Sequence, residues 1–138
     1  MIRRAGGGDA EALARLIGQL GYEVSAGEVV DRLALMEAEG RAVLVAERGG
    51  AVAGCLTTSV MRVLHRPAPV GRISMMVVEE ALRGQGIGAA LVRAAEEALA
   101  AQGCYMVEVT SNLKRTEAHR FYEKLGYERT SLRLAKEL

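Results

Sequence analysis

The chain runs Ile73-Ser74-Met75-Met76-Val77-Val78, then a short acidic link, then Arg83-Gly84-Gln85-Gly86-Ile87-Gly88. A run of alanine and charged residues, 89–102, follows at once. This order predicts a buried strand, a glycine-rich turn and a helix. Alternate glycines let backbone N–H groups approach an anion, and a helix start adds unpaired N–H groups and the positive end of its dipole. The stretch therefore predicts a phosphate-binding turn, with Arg83 as a cation at its rim.

Two other phosphate-binding patterns do not fit this turn. The dinucleotide pattern G-x-G-x-x-G is absent because the three glycines are spaced G-x-G-x-G, and no acidic residue ends a clear strand about 20 residues later. The nucleoside-triphosphate loop needs Lys and then Ser or Thr, whereas Ala89 and Ala90 follow Gly88. The pattern that remains is R-x-x-G-x-G after a strand.

A second motif, Ala118-His119-Arg120-Phe121-Tyr122-Glu123-Lys124-Leu125-Gly126-Tyr127, lies on a later predicted helix. The RGQGIG and FYEKLGY sequences, separated by a helix and a strand, resemble the two signatures of the GNAT superfamily of acyl-CoA-dependent N-acetyltransferases. The resemblance covers residues 40–138 well, and residues 1–40 only in the order of elements. The alternative interpretation of the first motif is an ordinary β–α turn whose glycines permit tight packing.

Periodicity predicts one α/β domain over residues 1–138. Asp9 is a candidate cap for a first helix, and Ser25 with Glu28 forms a capping box for a second. The resemblance implies a GNAT-like mixed sheet of about six to seven strands, with helices on both faces and splayed parallel central strands. The expected strands are 2–4, 42–46, 52–60, 70–78, 105–109 and 129–134, and the later helices are 89–102 and 116–125.

The resemblance implies acetyl-CoA as the co-substrate and places it along the strand and the turn. Backbone N–H groups of Gln85-Gly86-Ile87-Gly88 would bind the pyrophosphate, and Arg83-Gly84 would shape the entry. The Ile87 side chain is expected in the core. Backbone groups of Met76-Val77-Val78 would pair with the pantetheine arm like an added strand.

Acyl transfer from a thioester needs a neutral amine, a donor for the developing oxyanion, and a proton for the leaving thiolate. The resemblance assigns the proton to Tyr122, since a phenol with a pKa of about 10 is protonated at neutral pH; packing in the core is the alternative. Family analogy makes the Val78 N–H the oxyanion donor. Glu79 is the candidate base, directly or through water, with a solvated charge as the alternative. Glu108 ranks below it, and an already neutral amine needs no base.

One position departs from the family pattern. Many relatives carry an asparagine three residues before the alanine that matches Ala118, where it binds pantetheine, and this chain has Arg115 there. Asn112 is a candidate substitute. Arg115 either contacts the coenzyme's phosphates or is solvated at the helix start. The coenzyme's 3′-phosphate and plain solvent are the two candidate partners for a basic cluster of Lys114, Arg115, His119 and Arg120.

The expected acceptor is a primary amine of a small molecule or peptide. In the family the first two helices and a loop between strands build the acceptor pocket, which corresponds here to residues 20–40 and 61–70. Four polar residues are candidates to hold an ammonium group, although surface solvation explains them equally well: Tyr22, Glu23, Glu28 and Asp31.

Composition argues against other classes of function. A net charge of +1 with one Phe, four Tyr and no Trp gives no case for nucleic acid. No apolar stretch approaches the about 18 residues that span a membrane, and the N-terminus lacks the apolar run of a secretion signal. His65 and His119 lie far apart without other ligands at metal spacing, so no metal is expected.

The resemblance implies an N-acetyltransferase that moves an acetyl group from acetyl-CoA to an amine by direct transfer, and a cytoplasmic location is expected. The alternative is a non-catalytic acyl-CoA-binding sensor or interaction module, against which Tyr122 argues. Leu132, Leu134 and Leu138 are apolar enough either to form a homodimer or to complete the core.

Overall fold

The computed structural model describes residues 1–111 and 115–138, so Asn112 and Lys114 lie outside the described residues. Short 3₁₀ turns at Gly7–Asp9 and Glu80–Leu82 accompany nine strands and helices in these ranges. The strands are β1 (Ile2–Arg4), β2 (Val43–Arg48), β3 (Ala51–Met61), β4 (Val70–Val78) and β5 (Met106–Val109), and the helices are α1 (Ala10–Gln19), α2 (Ala26–Ala38), α3 (Ile87–Ala101) and α4 (Thr116–Lys124).

The strands form one mixed sheet in the order β1-β2-β3-β4-β5. The first four strands pair with one another in antiparallel fashion, and β5 runs parallel to β4 after the crossover through α3. Helices cover both faces, as expected. Residues of α1 and α2 pack with Val45, Cys55 and Val77, whereas residues of α3 and α4 pack with Leu56 and Ile73 on the opposite face. The two clusters follow from the alternation of side chains along each strand.

The pairing between the two parallel strands ends partway along β4, where β5 itself ends. Their pairing runs only from Val70 opposite Met106 to Ile73 opposite Val109. Next to β3, Thr58 lies opposite Ile73 and Thr57 opposite Met75, so Ser74 is the extra residue of a bulge. A bulge bends its strand and increases the local twist. The β5-facing edge of β4 is therefore open from Ser74 onward among the described residues.

Two expectations about elements are corrected. Residues 128–138 contain no strand, so the described sheet has five strands, fewer than the expected six to seven. Alternating leucines predict a strand only if one face is buried, and Leu132 and Leu134 are 70% and 85% exposed. Helix α3 begins at Ile87, earlier than Ala89, because Gly86 adopts a left-handed φ of 83° and caps it.

Asp9 also differs from the prediction. It precedes α1, but its side chain makes no cap hydrogen bond to that helix. Its carboxylate instead accepts the Gly6 N–H (2.8 Å) and two hydrogen bonds from the Arg3 guanidinium (2.8 and 2.9 Å). By contrast, the capping box of Ser25 and Glu28 is confirmed at the start of α2. No helix in residues 1–111 and 115–138 is long and apolar enough to cross a membrane.

Candidate active site

The glycine-rich turn is exposed, and two of its residues have a backbone conformation that only glycine adopts readily. Gly84 has φ of 81° and Gly86 has φ of 83°, which is the left-handed region. A Cβ atom at either position would meet no described atom within 4 Å, so the space above the turn is open. The Ile87 side chain is buried in the core, as predicted, and its backbone begins α3. The turn thus combines an open approach with the start of a fifteen-residue helix.

Gly88 is small for a different reason. A Cβ atom there would lie 3.2 Å from Phe121 Cζ and 3.6 Å from Met76 Cε. The absence of a side chain therefore lets α3 approach the aromatic residues of α4. Close packing explains why glycine is needed at position 88, whereas a left-handed backbone conformation explains it at Gly84 and Gly86.

Along its open edge, the backbone of β4 has no strand partner beyond Ile73 among the described residues. The Glu79 N–H donates to Ala53 O of β3 at 2.7 Å. Since successive residues of a strand direct their backbone groups to opposite edges, Val78 and Met76 direct theirs to the open edge and Val77 toward β3. The Arg83 Nε donates to Val78 O at 3.4 Å, in agreement with this direction. Of the three residues predicted to pair with pantetheine, Met76 and Val78 have the appropriate orientation.

Tyr122 lies in the core cluster that also contains Ile87 and, at its margin, Met76 and Val78. Its ring makes edge contacts with Phe121 and Tyr127, at centroid distances of 5.0 and 5.7 Å. Burial raises the pKa of the Tyr122 phenol to about 12, partly opposed by the positive charge of Arg115. The ring therefore packs as a core residue, and the hydroxyl keeps its proton at neutral pH.

Glu79 lies at the end of β4 and is held by α1. Arg15 Nη1 and Gln19 Nε2 both donate to Glu79 Oε2, the latter at 3.1 Å. These two hydrogen bonds, that of Arg15 first, lower the pKa of Glu79. The carboxylate is therefore ionised at neutral pH and is a weaker base than a free glutamate.

Sequence reasoning missed Arg15 and Gln19. They are spaced four apart on α1, which places them on one face of the helix. That spacing is common on solvated helices. The two side chains gain a shared partner only because α1 lies next to Glu79 at the end of β4.

The remaining polar candidates occupy separate places. Glu108 pairs with Arg72 at 2.5 Å, in the part of β5 that is paired with β4. Glu108 therefore does not lie along the open edge of β4. Arg115 is exposed and immediately precedes α4. Arg48, which was not predicted, donates a hydrogen bond to the side chain of Gln85 in the turn.

A cavity of about 540 Å³ lies between α1 and α2, and three of the four predicted acceptor residues line it: Tyr22, Glu23 and Glu28. Glu28 is already engaged, because it accepts the Ser25 N–H at 3.0 Å and pairs with Arg32 at 3.2 Å. Asp31 is exposed and does not line the cavity. A smaller cavity of about 310 Å³ lies behind the turn, against Gly86 and Ile87.

The fold and site define an α/β domain that can hold an elongated anionic ligand, with a glycine turn at one end and an open strand edge beyond it. Residues 13–127 match the acetyltransferase (GNAT) family. This protein is therefore a member of the GNAT acetyltransferase family.

Similar proteins agree with this assignment. The chain is 37% identical over 94 residues to the aminoalkylphosphonate N-acetyltransferase of Salmonella typhimurium. The aligned residues make up 68% of this chain and 61% of that protein. The chain thus matches less than two thirds of the length of this relative.

Solved structures match along nearly the entire chain. A transcriptional regulator from Bacillus halodurans C-125 superposes with a TM-score of 0.91 at 26% identity, covering 100% of this chain and 99% of the other. A putative acetyltransferase from Agrobacterium tumefaciens C58 gives a TM-score of 0.84 at 30% identity, with 99% of each chain covered.

Proposed function

We propose that this protein transfers the acetyl group of acetyl-CoA to a primary amine of a small molecule or peptide by direct transfer. The family match over residues 13–127 carries the proposal. The exposed glycine turn beside the open edge of β4 supports it, because a diphosphate and an extended pantetheine arm need these two features in this order.

The coenzyme would lie along this line. Backbone N–H groups of residues 85–88 bind the pyrophosphate, with Arg83 at the rim. The backbone groups of Met76 and the Val78 carbonyl pair with the pantetheine amides as a neighbouring strand does. Arg115 is a candidate for the coenzyme's phosphate groups, and Asn112 remains a predicted pantetheine contact.

The reaction joins the amine nitrogen to the thioester carbonyl carbon and breaks the C–S bond. The Val78 N–H stabilises the oxyanion of the tetrahedral intermediate. Tyr122 gives its hydroxyl proton to the departing sulfur. Glu79 receives the proton that the amine loses, through a water molecule. That proton then returns through water to the Tyr122 phenolate, which restores both residues, and the sum is an amide and free coenzyme A.

The acceptor would enter from the side of α1 and α2, where Tyr22 and Glu23 line the 540 Å³ cavity. The relative from Salmonella typhimurium is named for aminoalkylphosphonates, which are small primary amines. That class accordingly belongs in the first set of acceptors to be tried.

The test is a screen for coenzyme A release from acetyl-CoA over amino acids, polyamines, aminoglycosides, aminoalkylphosphonates and peptide N-termini, with calorimetry of acetyl-CoA binding. Release that depends on one class of amine supports the proposal. Binding without release for any amine favours the acyl-CoA sensor instead, and absence of binding overturns both.

A homodimer is a further part of the proposal, since Leu132 and Leu134 are exposed. Light scattering of the purified protein measures its mass directly. Substitution of both leucines by serine should lower a dimeric mass to that of one chain, and a monomeric mass for the unaltered protein rules this part out.

A further inference from the structure

We propose that Arg15 and Gln19 of α1 are positioning residues for the reaction, because together they fix which oxygen of Glu79 faces the acceptor. This inference rests on the proposed function. It starts from the observation that the two donors converge on a single atom. Both hydrogen bonds end on Glu79 Oε2.

The second oxygen of Glu79 remains available. Among the described residues, no donor contacts Oε1, and the side chain of Glu79 is 24% exposed. An acceptor amine or a water molecule can therefore reach Oε1 without displacing a protein group. A carboxylate held by one oxygen has less rotational freedom, which reduces the entropy lost when the amine is aligned.

Gln19 does more than a single hydrogen bond indicates. Its Oε1 accepts the backbone N–H of Glu80 at 3.1 Å while its Nε2 donates to Glu79. A backbone N–H can only donate, so it fixes the amide orientation and directs the NH₂ group to the carboxylate. One side chain thus joins α1 to two successive residues after β4.

Arg15 contributes charge as well as geometry. Arg83, in the glycine turn, is a second cation whose charge lowers the pKa of Glu79, with a smaller effect than that of Arg15. The pKa of Glu79 is lowered mainly by Arg15 and Gln19. Loss of Arg15 should therefore raise that pKa even though Arg83 remains.

The first experiment does not need turnover. The carboxyl carbon of Glu79 is followed by NMR against pH in protein labelled at glutamate, with the signal assigned by Glu79→Gln. We expect the pKa of Glu79 to rise in Arg15→Gln and to return toward its original value in Arg15→Lys. Arg41→Gln is the control, because Arg41 pairs with Glu39 at 3.0 Å, away from the site. An unchanged pKa in Arg15→Gln overturns the role of Arg15.

The second experiment uses kinetics with the best acceptor. Gln19→Leu should lower kcat/KM for the amine about tenfold and leave the KM for acetyl-CoA unchanged. In a Glu79→Gln background the same change should cost less than about twofold, because Gln19 then has no carboxylate to orient. Gln102→Leu is the control, since the side chain of Gln102 bonds only Ala98 O, at 3.4 Å, among the described residues.

The results separate the two proposals. An equal loss from Gln19→Leu in both backgrounds overturns the positioning role while the enzymatic function stands. If none of the amines tested makes the unaltered protein release coenzyme A, the proposed function fails. The NMR titration still decides whether Arg15 controls the pKa of the Glu79 carboxylate.

Discussion

Burial keeps the Tyr122 phenol protonated through the neutral range, and its ring is fixed by edge contacts with Phe121 and Tyr127. Tyr122→Phe removes the proton and leaves the ring, so the fold should be preserved. We expect kcat to fall about 100-fold, because a general acid contributes at least that factor. Affinity for acetyl-CoA should change by less than about twofold. Coenzyme A release and calorimetry measure the two quantities.

Tyr127→Phe is the matched control for this change. Tyr127 packs against the ring of Tyr122 and donates its hydroxyl to Glu96 at 2.8 Å, so its loss affects packing and stability only. If both variants lower kcat equally, Tyr122 is a packing residue, and the thiolate takes its proton from water.

Asp9 should make stability depend on pH. The Arg3 guanidinium, more than the Gly6 N–H, holds the pKa of this buried carboxyl below its ordinary value. A depressed pKa stabilises the fold above the unfolded value of about 4, and this contribution is lost as pH falls through the folded value. We expect Asp9→Asn to cost about 1 to 3 kcal/mol at pH 7 and less at pH 3, measured by urea unfolding.

Glu39→Gln provides the comparison for Asp9. Glu39 forms an exposed pair with Arg41, and the change should cost less than about 0.5 kcal/mol at either pH. Equal stability of Asp9→Asn and the unaltered protein at pH 7 would contradict the argument. The contact of Asp9 with Arg3 was not predicted, because an Asp just before a helix is typical of a cap, and its partner lies six residues earlier on β1.

Helix α3 offers a controlled test of the glycine turn, because a left-handed glycine lies at each end. Gly86 has φ of 83° and Gly103 has φ of 87°, and an added Cβ meets no described atom within 4 Å at either. Substitution by alanine should therefore cost each variant about 1 to 2 kcal/mol of backbone strain. Only Gly86→Ala should also weaken acetyl-CoA binding, by about tenfold or more, as measured by calorimetry.

The paired design separates strain from binding. A similar loss of affinity in Gly103→Ala would mean that strain in α3 weakens binding from a distance. Unchanged affinity in Gly86→Ala would mean that the turn does not hold the diphosphate, and the coenzyme site would have to be sought elsewhere on the sheet.

Elements with local signals were predicted well. The capping box of α2, strand β4 and the glycine turn each depend on neighbours in sequence, and each is present. The expected strand at 129–134 is wrong, because its alternating leucines find no sheet edge among the described residues. The hydrogen bonds that hold Glu79 come from Gln19 and Arg15, which lie 60 and 64 residues away in the sequence, and no local pattern encodes such a contact.

Coenzyme binding should stabilise the folded chain as a unit. The turn, β4 and α4 belong to one core cluster, so a ligand that spans them binds the folded state and has no site on the unfolded chain. Acetyl-CoA at 100 times its dissociation constant should raise the free energy of unfolding by about 2.7 kcal/mol. The melting temperature should rise by about 9 °C for a domain of this size. Thermal denaturation with increasing acetyl-CoA measures the rise.

The variants of α3 make this measurement specific. Gly103→Ala should start from a lower melting temperature and show the full rise, whereas Gly86→Ala should start equally low and show little of it at the same acetyl-CoA concentration. Equal rises in the two variants would place the coenzyme away from the turn. No rise in the unaltered protein at millimolar acetyl-CoA would remove the basis for the enzymatic function, because a co-substrate must bind the folded protein before its acetyl group can be transferred.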